Sequence, residues 1–257
     1  MTNILVVDFI LVFMIFLRIS SAFVVAPIFS QQALPATLKI VLALTISYTI
    51  FLTINRQPNT IEISLFSLVI NGLKEVLTGL LLGFMMNFVF YGINYAGTLI
   101  GFDMQLTMAE VFNPMDETSS NVIGEVLNYA AILIFLLIDG HHYFIRGLAY
   151  SFKIIHIGQF NLSAPAFKLM MQYTAEIFII AIKIASPIMV SFFLVHIAEG
   201  IISRVIPQMQ VFFVSQPLKL ALGFLLLVSV TPIYVYVIRN LLKGYEDSLF
   251  SLIKAMG

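Results

Sequence analysis

Six apolar runs, at residues 4–26, 38–54, 63–100, 126–138, 172–202 and 211–238, leave this chain few ways to fold. About 20 apolar residues carry a helix across the hydrocarbon core of a bilayer, and most of the runs are near or beyond that length. The run at 126–138 is short for a crossing unless its helix continues past Asp139. Inside lipid every backbone N–H and C=O must find a partner within the protein, so only helices and closed barrels cross it. No run alternates polar and apolar residues as a barrel strand does. The fold class is therefore all-α, multi-pass and membrane-embedded. Composition agrees: 60% of the residues are hydrophobic and 10% charged, where a soluble domain carries about a quarter charged. The first run contains Asp8 and Arg18 and lacks a basic leader, so it reads as a retained helix rather than a signal peptide.

Several function classes drop out. Lys plus Arg and Asp plus Glu both number 13, with no basic stripe, so nucleic acid is not an expected ligand. Cysteine is absent, which removes thiol catalysis and thiolate metal sites. Tryptophan is absent too, so any interfacial aromatic belt must use Tyr and Phe. The four histidines fall in no H-E-x-x-H pattern, and neither G-x-S-x-G nor a P-loop is present. His196 and Glu199 are three apart on one helix face, yet one such pair is too few for a metal site. The expectation is no enzyme, no cofactor and no metal.

The third run carries internal order. At about 100° per residue, Gly72, Gly79, Gly83, Gly97 and Gly101 share one narrow stripe, and Gly92 does not. Gly79/Gly83 and Gly97/Gly101 are G-x-x-x-G pairs, which let helix backbones approach closely in an apolar medium, so a helix-packing seam is expected. Asp8, Arg18, Lys74, Glu75, Glu176, Lys183, Glu199 and Lys219 lie inside apolar runs. Charges at such depth must face protein or water; being scattered in depth, they read as structural pairs rather than an ion path. Pro187 and Pro232 should kink or break the last two helices.

Two polar interruptions then stand out. "SRVIPQMQVFFVSQPLK" (203–219) holds two prolines between apolar helices. Pro207 disfavours helix at Ile206, and Ser215-Gln216-Pro217 reads as a helix start, leaving an apolar tip that needs a partner surface. The acidic connector at 101–125 sets Met104, Leu106, Met108, Val111 and Phe112 beside Asn113-Pro114, where a non-helical loop is expected.

These stretches resemble the FliR family, the membrane export-gate subunit of bacterial flagellar type III secretion. The matching residues are Arg204, Pro207-Gln208-Met209, Val211-Phe212-Phe213 and Pro217-Leu218-Lys219. They extend to "GTLIGFDMQLTMAEVFNP" (97–114) and "DGHHYFIRGL" (139–148), with order, spacing and length in agreement over essentially the whole chain. The resemblance implies a FliP-like N-terminal part, residues 1–171, joined to a FliQ-like helical hairpin, residues 172–257. It implies assembly with FliP and FliQ, beside other export-apparatus membrane proteins, into a ring in the bacterial inner membrane at the flagellar basal body. Unfolded flagellar substrates would pass through that ring. The segment at 104–122, including Met104, Leu106, Met108, Val111, Phe112, Asn113 and Pro114, would plug the channel. The tip at 203–219, with Arg204, Pro207, Gln208, Met209, Phe212, Phe213, Pro217 and Lys219, would lie near the cytoplasmic entrance. With six spans, the positive-inside rule instead sends that tip outward; the family's orientation is preferred, because the rule assumes ordinary lipid-facing helices. The alternative function is a small secondary transporter or ion channel with a midplane charged site, which would call for internal repeats across two halves.

Overall fold

The computed structural model describes residues 2–29, 34–53, 64–106, 111–113, 118–206 and 211–257. Among them lie seven helices: α1 (Thr2–Val25), α2 (Ala36–Thr53), α3 (Leu65–Asp103), α4 (Val122–Leu137), α5 (Gly140–Ile154), α6 (Ala164–Val205) and α7 (Val211–Met256). A short antiparallel ribbon joins α3 to α4. Its strands β1 (Val111–Asn113) and β2 (Thr118–Ser120) pair Val111 with Ser120 and Asn113 with Thr118. The fold is all-α apart from this ribbon. Five helices are long and apolar enough to cross a membrane, or six if the bent α4–α5 pair forms one span.

Local chemistry sets the helix ends. Pro35 accepts from the amides of Leu38 and Lys39 and so opens α2 with its carbonyl. The Asn121 side chain caps α4, its Oδ1 accepting from Ile123 N–H at 3.0 Å. Ser163 caps α6, where its Oγ accepts from Ala166 N–H at 3.2 Å. At the other end α6 stops at Val205, as the Ile206-Pro207 step requires. The 126–138 run does not continue straight past Asp139. That residue adopts the left-handed conformation, φ 58°, and the chain bends by 72° between α4 and α5.

Three expectations are corrected. Pro187 and Pro232 lie within continuous helices and do not break them. At Pro187 the Lys183 carbonyl loses its N–H partner, and the Ser186 hydroxyl donates to it at 3.1 Å, so the local loss is offset. Helix α7 begins at Val211, ahead of the expected start at Ser215–Pro217, and Pro217 lies inside it. In an apolar setting, continuing through a proline forfeits one hydrogen bond, whereas unwinding Val211–Gln216 forfeits several.

The chain forms two compact units. Unit 1 contains residues 1–88, 139–173 and 243–257; unit 2 contains residues 89–138 and 174–242. Both are discontinuous in sequence, so neither coincides with residues 1–171 or 172–257. That earlier division concerns likeness to sister proteins and is a separate matter. In unit 1, Phe23 stacks on Phe29 with centroids 4.2 Å apart, and Tyr150 meets Phe250 edge-on at 5.1 Å. In unit 2, Phe90 packs edge-on against Phe135 and Tyr95 against Phe178, both at 5.9 Å.

Candidate functional site

The glycine stripe lies at close helix approaches in both units. In unit 1, a Cβ at Gly79 would strike the Ser21 hydroxyl and the Arg18 carbonyl of α1. One at Gly83 would lie 2.5 Å from the Ala22 carbonyl, and one at Gly72 would lie 3.3 Å from Leu17 Cδ1. In unit 2 the stripe meets α4: a Cβ at Gly97 would collide with the backbone of Gly124, and one at Gly101 with the Asn121 side chain. Gly92, off the stripe, approaches α6 instead, its Cβ falling 2.7 Å from Ile180 Cγ2. At Gly79, Gly83 and Gly97 the atoms met include backbone, so the close approach there excludes any side chain. All these neighbours belong to the same chain.

Unit 1 buries an ion pair. Arg18 Nε donates to Glu75 Oε2 at 2.6 Å, and both side chains are wholly inaccessible to solvent. The remaining guanidinium donors reach Ser151 Oγ at 3.2 Å and the Ile155 carbonyl at 3.1 Å, and its face covers Phe152 at 4.1 Å. Glu75 Oε1 accepts from Gly158 N–H at 2.8 Å, and the neighbouring Lys74 donates to the Gly158 carbonyl at 3.0 Å. Gly158 has φ 77°, a conformation that glycine adopts without strain. The pair thus fastens α1, α3 and α5 to the segment after α5, as the structural reading of the buried charges expects.

Unit 2 holds a second charged cluster where α6 faces α7. Lys219 Nζ lies 2.8 Å from Glu199 Oε2 and 3.4 Å from His196 Nδ1, and His196 Nδ1 is 3.2 Å from the same carboxylate oxygen. Lys219 is 1% exposed. The carboxylate of Asp103, in the last turn of α3, lies in the field of both Lys219 and His196. Of the other tip residues, Arg204 is exposed in the last turn of α6 and Pro217 is exposed on α7. Phe212 and Phe213 belong to the first turn of α7, their side chains outside the described set. Pro207, Gln208 and Met209 lie outside the described residues.

The connector residues separate in the same way. Met104 is fully buried, and a Cβ at Gly223 on α7 would lie 2.6 Å from its Cγ and Cε. Leu106 is half-buried, and Val111, Phe112 and Asn113 form β1. Met108 and Pro114 lie outside the described residues. Sequence reasoning passed over Gly223, which belongs to no repeat and stands 126 residues along the chain from Gly97. It also passed over the bend at Asp139, where Asp139, His141 and His142 each bring one donor atom within 4.8 Å of the others. Asp139 Oδ1 and His142 Nδ1 are 3.4 Å apart, the i, i+3 contact of an exposed helix start.

Long apolar helices, buried ion pairs and glycine-mediated backbone contacts define an integral membrane protein of the multi-pass helical class. The sequence profile of bacterial export proteins, family 1, matches residues 9–245, and the chain belongs to that family. Flagellar biosynthetic protein FliR of Bacillus subtilis (strain 168) is 32% identical over 248 residues, covering 95% of each chain. FliR of Escherichia coli (strain K12) is 27% identical over 240 residues, 93% of this chain and 91% of its own. FliR of Aquifex aeolicus (strain VF5) is 27% identical over 226 residues, 88% of this chain and 86% of its own.

Proposed function

We propose that the chain is the FliR-type subunit of a flagellar type III export gate, forming with FliP and FliQ a channel that conducts unfolded flagellar proteins across the bacterial inner membrane. The observation that carries this reading is its family membership together with near full-length similarity to FliR proteins of distant bacteria. Helix length supports it. Helix α7 has 46 residues, about 69 Å at 1.5 Å per residue, against a hydrocarbon core of about 30 Å. Much of α6 and α7 is apolar and exposed, including Phe178, Phe193, Leu194, Val228 and Tyr236. Surfaces of that length and character suit burial by sister subunits as well as by lipid. The role is passage rather than chemistry, and it needs no catalytic group. In it the α3–α4 connector closes the path, and the α6–α7 tip packs on a sister hairpin.

The test is purification and secretion together. A tagged chain should bring FliP and FliQ with it from detergent-solubilised membranes, and a deletion strain should secrete no flagellin. A chain that purifies alone as a stable transporter-like homo-oligomer, with secretion intact in its absence, rules the reading out.

A further inference from the structure

Just past the last turn of α3, Met104 packs on α7 within unit 2. Met104 is wholly buried, with its Cγ, Sδ and Cε all against the position a side chain at Gly223 would occupy. One residue earlier, Asp103 lies in the electrostatic field of Lys219 and His196, which are themselves joined to Glu199. One residue later the seat is strained. Gln105 has φ 61°, rare for a residue other than glycine, and its Oε1 is buried with no hydrogen-bond donor beside it. A non-glycine residue in this conformation persists only where its surroundings impose it, and such residues gather at switching segments. A buried acceptor without a donor adds to the cost of the docked arrangement. Three consecutive residues therefore combine an electrostatic attraction, a shape-matched notch and stored cost.

We propose that Asp103–Gln105 is a releasable latch, with Met104 seated in the Gly223 notch of α7, and that it must undock for protein export to proceed. The proposal rests on the export reading given above and adds the contact through which the α6–α7 hairpin governs the end of α3. Gly223 and Lys219 are positioning residues that act through Met104 and Asp103. Release frees Gln105 from its left-handed conformation and exposes its amide, which offsets part of the apolar contact that Met104 gives up. The gap between latched and free states is thereby kept small, so a modest movement of the hairpin can switch it.

The chain has no cysteine, so a reversible crosslink reads the latch directly. A cysteine Sγ at position 104 takes the place of Met104 Cγ, which lies 2.6 Å from a Cβ built at Gly223, within reach of disulfide formation. In the full chain, assembled in membranes of a secreting strain, Met104→Cys/Gly223→Cys is expected to form the bond on mild oxidation, read by loss of maleimide labelling. Flagellin secretion should fall at least tenfold and return on reduction, while the single variants ignore the oxidant. A completed crosslink with unchanged secretion overturns the latch. So does an assembled complex in which no crosslink forms. If the double variant assembles poorly, Gly223→Ala carries the test, because its methyl displaces Met104. Secretion or ion leak should then change at least threefold, and an assembled Gly223→Ala complex matching wild type in both overturns the proposal. Failure of the export reading is separable: intact secretion without the chain sinks that reading, while crosslink yield still reports the docking.

Discussion

A guanidinium and a carboxylate with no access to solvent are tolerable in this chain only because each is fully engaged. Arg18 and Glu75 together make four polar contacts and one ring contact. Breaking a buried pair from one side leaves an uncompensated charge and costs about 3–5 kcal/mol. Glu75→Leu is therefore expected to lower the thermal midpoint and the yield of the detergent-solubilised protein sharply. Adding Arg18→Met to it should recover part of the loss, since the stranded charge is gone; a double variant worse than the single one refutes this account. The glycines make a parallel prediction. Gly79→Leu places a side chain where the Arg18 carbonyl and Ser21 hydroxyl already stand, and Gly97→Leu does the same against Gly124. Both should reduce recovery of folded protein and of any complex containing it. Gly200→Leu, at a position with nothing nearby, is the control and should leave the yield unchanged.

Whole helices were legible in the sequence to the extent that apolar runs define them, and their ends were less so. The stop at Val205 was visible because Pro207 acts on the residue before it. The start of α7 was misplaced because Pro217 was read as a first-turn residue, although an apolar surrounding favours helix on both sides of it. The stripe at Gly72, Gly79, Gly83, Gly97 and Gly101 was readable from its period, whereas the facing partners were not: period identifies a face and not what meets it. Gly92 and Gly223 each approach a neighbour without belonging to any repeat, and only the folded contacts reveal them. Two predictions belong at this scale. Removing residues 106–112 from the α3–α4 connector, in a complex that still assembles, should open a leak to ions in a planar bilayer while export partly persists; a deletion complex as tight as wild type rules out a plug. Phe212→Asp or Phe213→Asp in the first turn of α7 should impair secretion and motility, because an unpaired carboxylate would be buried against a partner. Unchanged secretion in both would mark the 203–219 segment as a plain turn.

Across the whole molecule, family membership follows from a match spanning residues 9–245, and the order of motifs in the sequence was enough to suggest it. The arrangement into compact units was not readable, because each is assembled from distant stretches. Unit 1 needs residues 243–257 to be complete. There Tyr245, Leu249, Leu252, Ile253 and Met256 are buried, Leu249 lies over Gly147, and Ser163 donates to the Ala255 carbonyl. Synthesis runs from the amino end, so the first helices enter the membrane long before their closing element leaves the ribosome. Throughout that interval the apolar faces that 243–257 will cover are open to chaperones, proteases and other nascent chains. A stop codon after Leu242 should thus yield a protein that is inserted but rapidly degraded, with a half-life in a pulse-chase several-fold shorter than that of the full chain. Supplying residues 243–257 as a separate peptide should not restore it, because their delivery depends on continuity with the earlier part of α7.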